Sequence, residues 1–146
     1  VMLRHIVQEG QALSAGKHQI SLEVEGPNLQ GSADEIRSAI SNLVTNAIRY
    51  TPEHGEIKIV WKSGPQGPKL VVQDSGIGIS AEHISRLTER FYRVDKSRSR
   101  ETQGTGLGLA IVKHVLLRHN AQLLIESTPG VGSKFCVQFP VSRIVE

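Results

Sequence analysis

Apolar and polar positions follow two different periods along this chain, and the two periods predict two kinds of element. Apolar spacing of three and four residues predicts helices at 2–14, 33–50 and about 107–119. Alternation or a short apolar run predicts strands at 19–25, 56–62, 69–73, 122–127 and 133–139. Helices and strands in this mixed order predict an α/β fold, a two-layer sandwich of helices on one mixed β-sheet.

The same patterns predict which side chains are buried and where one helix begins. Alternation puts Ile20, Leu22 and Val24 on one face of a half-buried strand, and Leu13 joins the apolar spacing of the first helix. Cys136 lies between two apolar residues and is predicted to be a small core residue. The capping-box arrangement of residues 32–35, Ser-Ala-Asp-Glu, predicts the start of the second helix.

Composition narrows the class of protein. A length of 146 residues, with 38% hydrophobic and 21% charged, predicts one globular domain covering 1–146. No stretch approaches the ~20 apolar residues of a membrane span, so we expect no membrane contact by this domain. The six histidines are scattered without ligand spacing, which argues against a zinc site. The net charge of +3 is small, but the positive residues are concentrated in one region.

The segment 74–108 departs from these patterns because it is rich in glycine, serine and arginine, with only a short helical patch around 81–90. A loop of this length in a compact domain is usually a functional lid, predicted here at about 80–104. Its cations are Arg86, Arg90, Arg93, Lys96, Arg98 and Arg100. They fit a solvated basic loop or a lid that faces phosphate. With Phe91 and Tyr92 they also suit nucleic acid, although no RNA- or DNA-binding pattern accompanies them.

Two amides lie on one face of the second predicted helix. Asn42 and Asn46 are separated by one helical turn, and Arg49 and Tyr50 continue this face a turn later. Such a pair is common on a solvated helix side. Beside a cation and an aromatic ring it also suits Mg²⁺ and a nucleotide, because Mg²⁺ prefers oxygen ligands and usually shares phosphate oxygens with only one or two protein groups.

A carboxylate followed by glycines stands at the end of the predicted strand 69–73. The run is Asp74-Ser75-Gly76-Ile77-Gly78-Ile79. An ordinary Asp-led turn has this composition. The same arrangement also lets a flat ring approach the backbone while the amine of the ring donates to the acid. This run alone does not distinguish between the two interpretations.

A second glycine-rich run leads into the third predicted helix. It reads Gly104-Thr105-Gly106-Leu107-Gly108-Leu109. Glycines expose backbone N–H groups at a helix N-terminus, where phosphate binds readily. The run is not a Walker loop, because no Gly-Lys-Ser/Thr follows. It also fails the dinucleotide pattern, because no strand precedes it and its third glycine comes one residue early.

Taken in chain order, these runs are 42–51 (NLVTNAIRYT), 74–78 (DSGIG), 90–95 (RFYRVD) and 104–109 (GTGLGL). Their order resembles the N, G1, F and G2 boxes of sensor histidine kinases, and the resemblance covers essentially the whole chain. The run 87–96, LTERFYRVDK, looks most like the phosphate-regulon sensor kinases. The resemblance implies the Bergerat ATP-binding fold, which DNA gyrase, a heat-shock chaperone family and mismatch-repair ATPases share.

The resemblance also implies roles at the matching positions. Asn42 and Asn46 resemble the ligands of Mg²⁺ and phosphate, and with Arg93 they form the implied catalytic set. Asp74 resembles the acid that receives the adenine amine, and Tyr50 a residue that packs near the adenine. The implied nucleotide-binding set also contains Arg49, Gly76, Gly78, Ile79, Gly104, Thr105, Gly106, Leu107 and Gly108. Arg49 keeps, in a wider guanidinium, the charge of the lysine that is common at this position in the family.

The implied activity is transfer of the γ-phosphoryl group of Mg-ATP to a histidine in two-component signalling. Relatives that hydrolyse ATP carry Glu at the position of Asn42, and an amide cannot accept the proton of an attacking water. A gyrase-type ATPase and a non-catalytic nucleotide sensor are the alternatives.

The phosphoacceptor is implied to lie elsewhere, because none of the six histidines is followed by an acidic residue. The implied partners are a separate dimerising histidine hairpin of the same protein and a cognate response regulator, with no direct nucleic-acid contact. The implied location is the cytoplasmic portion of an inner-membrane sensor kinase.

Overall fold

A computed structural model describes residues 2–26, 28–29, 31, 33–78, 108–140 and 144–145. The helices in this part of the chain are α1 (Met2–Ser14), α2 (Ala33–Tyr50) and α3 (Gly108–Arg118). The strands are β1 (Gln19–Val24), β2 (Asn28–Leu29), β3 (Glu56–Lys62), β4 (Lys69–Asp74), β5 (Gln122–Thr128), β6 (Gly132–Gln138) and β7 (Ile144–Val145).

Five strands form one mixed sheet in the order β1-β3-β4-β6-β5. The pair β1 and β3 is parallel, and every other neighbouring pair in this sheet is antiparallel. Because parallel strands need a crossover connection, α2 lies between β1 and β3 in the chain. The short strands β2 and β7 form a separate antiparallel pair.

The helices cover one face of the sheet and enclose the main core. The helix α2 contributes the largest set of buried apolar side chains, namely Ile36, Ala39, Ile40, Leu43, Val44, Ala47 and Ile48. Alternate residues of the strands face this stripe, among them Ile57, Ile59, Trp61, Leu70, Val72, Phe135 and Val137. Since each layer buries one apolar side against the other, polar groups can occupy the strand ends without disrupting the core.

The predicted long elements are confirmed to within one or two residues at their ends. The strands β2 and β7 were not predicted, because elements of two residues have no measurable period. Ser32 of the predicted capping box, the helical patch around 81–90 and the lid at about 80–104 lie outside the described residues. Among the described helices, none combines the length and the apolar character that a membrane crossing requires.

Two apolar residues of the predicted elements are exposed. Leu13 is 57% exposed, because the inward face of α1 runs through Ile6, Val7, Gly10 and Ser14 instead. The missing side chain of Gly10 lets α1 approach α2, and a Cβ there would be 3.1 Å from Cγ1 of Val44. Val24 is 54% exposed, because it ends an edge strand that has only β3 beside it.

Cys136 is buried, as predicted, but it lies outside the main core. The neighbouring β6 residues Phe135 and Val137 belong to the core under the helices, so the alternation of a strand turns Cys136 to the opposite face of the sheet. Val71 is its direct cross-strand partner and is also buried outside that core. The sheet therefore has a second, smaller apolar row on its outer face.

Candidate functional site

Asp74 is the last residue of β4, at one end of the helix-covered face of the sheet. In the register it lies between Ile57 of β3 and Ser133 of β6. Alternate residues of a strand share one face of the sheet, so Asp74 lies on the same face as the core residues Leu70 and Val72. The carboxylate is therefore directed towards the helical layer, and only 6% of the residue is exposed. The sequence predicted an acid at the end of this strand, either in an ordinary turn or as an acceptor for a ring amine, and the structure adds that the acid is buried.

Two backbone N–H groups hold the Asp74 carboxylate through one of its oxygens. Gly76 donates to Oδ1 at 2.9 Å, and Ser133 donates to the same atom at 3.3 Å. Among the described residues nothing donates to Oδ2. The second oxygen is therefore left as an acceptor while the first fixes the orientation of the group.

Burial raises the pKa of Asp74 above its ordinary value, and the N–H bonds from Gly76 and Ser133 only partly offset this rise. The cause is desolvation, which penalises the charged form of the carboxyl group. A ligand amine that donates to the carboxylate would compensate for the water that burial removed. The site is thus suited to an amine donor rather than to a second acceptor.

Two hydroxyls continue this end of the sheet beyond Asp74, and the sequence patterns did not identify them. The Oγ atoms of Ser127 and Ser133 are 2.8 Å apart, and Ser127 also donates to the Gly132 carbonyl at 3.1 Å. Ser127 and Ser133 are direct cross-strand partners. Only the strand register brings them beside Asp74, so no local run of residues could have revealed this polar row.

The loop after Asp74 is attached to neighbouring strands on both sides. On one side, Ser75 donates its N–H to the Glu56 carbonyl at 3.0 Å, and its Oγ accepts from the Glu56 N–H at 2.8 Å. On the other side, the Gly130 N–H donates to the Ile77 carbonyl at 2.7 Å. These bonds hold the loop in one position relative to β3 and to the β5–β6 turn.

Gly78 has a packing role that the sequence did not predict. Its φ is +75°, and a Cβ would collide with the carbonyl oxygen of Thr128. Gly132 approaches from the β6 side in the same way, because its Cβ would collide with the carbonyl oxygen of Asp74. At these two positions glycine is required by the close approach of the loop and the turn, in addition to any approach by a ligand.

The amide pair lies on α2 as predicted, and both side chains are half-buried. The Asn42 amide nitrogen donates to the Ser38 carbonyl at 2.7 Å. Its oxygen therefore remains as the atom that can accept or coordinate. The side chain of Asn46 makes no hydrogen bond to any of the described residues, and asparagine is less favourable than alanine in a helix interior. The chemistry of the pair fits a hard cation that takes oxygen ligands.

The remaining predicted site residues are distributed between α2, the loop after β4, the start of α3 and the part of the chain that is not described. Arg49 is exposed in the last turn of α2, Tyr50 is its final residue, and Gly108 begins α3. Gly76 is buried beside Asp74. The predicted residues that lie outside the described ranges are Ile79, Arg93, Gly104, Thr105, Gly106 and Leu107.

The motif order and this geometry agree with a comparison against protein families. The model described as Histidine kinase-, DNA gyrase B-, and HSP90-like ATPase matches residues 31–143. The chain belongs to this family. It is an ATP-binding domain of the histidine kinase type, and the match includes α2, Asp74 and the start of α3.

Curated relatives within this family confirm the resemblance to phosphate-regulon sensor kinases. Phosphate regulon sensor protein PhoR of Pseudomonas aeruginosa is 56% identical over 147 residues, which cover 99% of this chain and 33% of that protein. The protein of the same name from Haemophilus influenzae is 45% identical over 146 residues, covering 99% of this chain and 34% of that protein. The chain spans about a third of the length of these relatives.

A solved structure confirms the predicted fold class. The mycobacterial sensor histidine kinase MprB superposes with a TM-score of 0.85 and 25% sequence identity, covering 95% of this chain and 93% of that chain. The layered α/β architecture predicted from the sequence is therefore the architecture of a sensor histidine kinase catalytic domain.

Proposed function

We propose that residues 1–146 act as one catalytic domain that binds Mg-ATP and transfers the γ-phosphoryl group to a histidine on a separate dimerisation domain of the same protein. The observation that carries the proposal is the amide at Asn42, whose nitrogen is bonded to the Ser38 carbonyl. This side chain has no group that could take a proton from water. The chain therefore lacks, at this position, the base of the relatives that hydrolyse ATP.

The Asp74 end of the sheet recognises the adenine ring of ATP. The amine of adenine donates to Asp74, whose Oδ2 is left as an acceptor by the two backbone bonds to Oδ1. Guanine presents a carbonyl oxygen at the equivalent position, and this oxygen would face the carboxylate without a hydrogen between them. The fixed loop thus favours ATP over GTP before any chemistry occurs.

The helix α2 binds the phosphate side of the nucleotide. The oxygens of Asn42 and Asn46 fit Mg²⁺, which when bound neutralises charge on the phosphates. Arg49 brings a cation to the end of the same helix. These residues bind and orient; the transfer itself needs little covalent chemistry from the protein.

Transfer then follows from positioning. A nitrogen lone pair of the acceptor imidazole forms a bond to the γ-phosphorus, the bond from that phosphorus to the β–γ bridging oxygen breaks, and ADP leaves. The other ring nitrogen then releases its proton to water, which leaves a neutral phosphorylated imidazole. An imidazole with a pKa of about 6.5 is largely neutral near pH 7 and already nucleophilic. The phosphoryl group passes from this histidine to a cognate response regulator, and the domain works on the cytoplasmic side of the membrane.

The test is radiolabelled ATP incubated with the chain alone and with the separately produced histidine-bearing segment of its full-length protein. The chain alone is expected to bind Mg-ATP, to release little phosphate and to remain unlabelled. Acid-labile label is expected on the added segment. Rapid phosphate release by the chain alone would instead identify a gyrase-type ATPase. Binding without any transfer to the added segment would identify a nucleotide sensor.

A further inference from the structure

His18 connects the first helix to the end of the helix that carries the amides. It lies in the short connection between α1 and β1 and is half-buried. Its Nδ1 is 2.8 Å from Oγ of Ser14, and its Nε2 is 2.6 Å from the carbonyl oxygen of Thr51. Ser14 is the last residue of α1, and Thr51 directly follows α2. One imidazole thus bridges the C-terminal ends of two helices.

The partners of His18 determine where its ring hydrogen lies. A carbonyl oxygen can only accept, so Nε2 carries the hydrogen and donates to Thr51. In the neutral ring Nδ1 then accepts from the Ser14 hydroxyl, and Ser14 Oγ accepts in turn from the His18 backbone N–H at 3.0 Å. Every polar atom of this junction is satisfied in a single arrangement. Loss of the ring would leave the Thr51 carbonyl, at a buried residue, without this donor.

Thr51 connects this junction to the loop that holds the carboxylate. Its hydroxyl donates to the Ala47 carbonyl at 2.7 Å, inside the last turn of α2. Its methyl group occupies the space where a Cβ on Gly55 would be, and Oγ of Ser75 is 3.2 Å from the same point. Ser75 is the residue after Asp74 and is bonded to Glu56. Thr51 thus packs on Gly55, and the next residue, Glu56, is bonded through its backbone to Ser75. The path from His18 through Thr51 reaches the last turn of α2 on one side and the Asp74 loop on the other.

We propose that His18 is a positioning residue for the nucleotide site. Its bond to the Thr51 carbonyl fixes the end of α2, and with it Arg49 and Tyr50, relative to Asp74. His18 itself touches no nucleotide; it acts through the distance between the helix end and the carboxylate loop. This inference rests on the proposed function, because it concerns the binding of ATP at that site.

The test compares the affinity for an ATP analogue with the melting temperature of each variant. His18→Ala and His18→Phe both remove the donor to Thr51, and Phe keeps a ring in the space. We expect Kd for the analogue to rise about threefold to tenfold in both, the effect of one hydrogen bond on a positioned group. His18→Gln returns an N–H donor at the position of Nε2 and is expected to recover most of the affinity.

A matched control separates positioning from a general loss of stability. His119 is also buried and also bonds a helix carbonyl, from Nδ1 to Val115 at 2.8 Å, but at the end of α3. His119→Ala is expected to lower the melting temperature without changing Kd. Unchanged Kd in a folded His18→Ala or His18→Phe protein would overturn the inference, as would an equal loss of affinity in His119→Ala. Failure of the unsubstituted chain to bind the analogue would refute the proposed function instead.

Discussion

The two sides of the candidate site are built in different ways. The carboxylate side consists of Asp74 and its loop, which are hydrogen-bonded to backbone groups of β3, β6 and the β5–β6 turn. The amide side consists of Asn42 and Asn46, which extend from one helix, and only Asn42 is bonded within the described part of the chain. Backbone atoms therefore fix the first side, whereas side chains form the second.

Because of this difference, we expect the two sides to have different functions. A carboxylate that is held by fixed backbone groups presents one acceptor geometry, which is suited to selecting a flat base. Amides on a helix can adjust their oxygens to a metal ion and to phosphates that change during transfer. We therefore expect substitutions on the carboxylate side to affect mainly affinity and substitutions on the amide side to affect mainly transfer.

The largest expected effect is on the amide side. Asn46→Ala removes an oxygen proposed to position Mg²⁺ and should reduce transfer to the histidine segment about a hundredfold or more, the scale for loss of one charge-stabilising group. The fold should be unaffected, because the Asn46 side chain has no hydrogen bond to lose among the described residues and alanine favours a helix. Phosphoryl transfer and thermal melting are measured on the same protein samples. The control is Gln11→Ala, which removes an exposed amide from α1. Normal transfer by Asn46→Ala would contradict the assignment of transfer to the amide side.

The next effect is on the carboxylate side. Asp74→Ala removes the acceptor for the adenine amine, a charge-assisted bond of about 1.5–3 kcal/mol, so ATP affinity should fall roughly tenfold to a hundredfold. Calorimetric titration measures this change. If the mutant is folded and binds ATP as tightly as the unsubstituted chain, Asp74 does not recognise the base. A large loss of transfer with unchanged affinity would reverse the roles of the two sides.

The sequence predicted the amide side and the carboxylate itself because each is encoded within a few residues. The spacing of Asn42 and Asn46 puts them on one helix face, and Asp74 follows an apolar strand. The polar row of Ser127 and Ser133 was missed because it exists only through pairing between strands that are distant in sequence from Asp74. Likewise, the bridge from His18 to Thr51 joins residues 33 positions apart, and no periodicity reports such a contact.

A smaller effect is expected from the glycine that lets the carboxylate loop approach the β5–β6 turn. Gly78→Ala combines a positive φ with a collision against the Thr128 carbonyl and should reduce the free energy of unfolding by about 1–3 kcal/mol. Gly16→Ala is a suitable control, because φ there is +81° but nothing lies within 4 Å of its Cβ position. Denaturant unfolding of both variants separates the collision from the backbone strain. Equal losses would mean that the loop moves to accommodate the methyl group.

The smallest effect concerns the cost of keeping Asp74 buried without a ligand. Burial raises its pKa above the ordinary value of 3.8, so the folded protein holds this proton to higher pH than the unfolded chain. The free energy of unfolding therefore decreases as the pH rises from 3.8 through the folded pKa, and the loss persists above it. Asp74→Asn removes this titration and keeps an oxygen that can accept from Gly76 and Ser133.

The Asn variant should consequently gain stability relative to the unsubstituted chain as the pH rises through that window, and this gain should persist above it. Addition of an ATP analogue should stabilise the unsubstituted chain more than the Asn variant, because the bound amine compensates for the desolvation only when the carboxylate is present. Denaturant unfolding against pH, with and without the analogue, measures both differences. No such gain in the absence of ligand would mean that the two backbone bonds outweigh the cost of burial. In that case Asp74 would hold its loop as a structural residue, and the carboxylate side would not carry a stability cost for recognition.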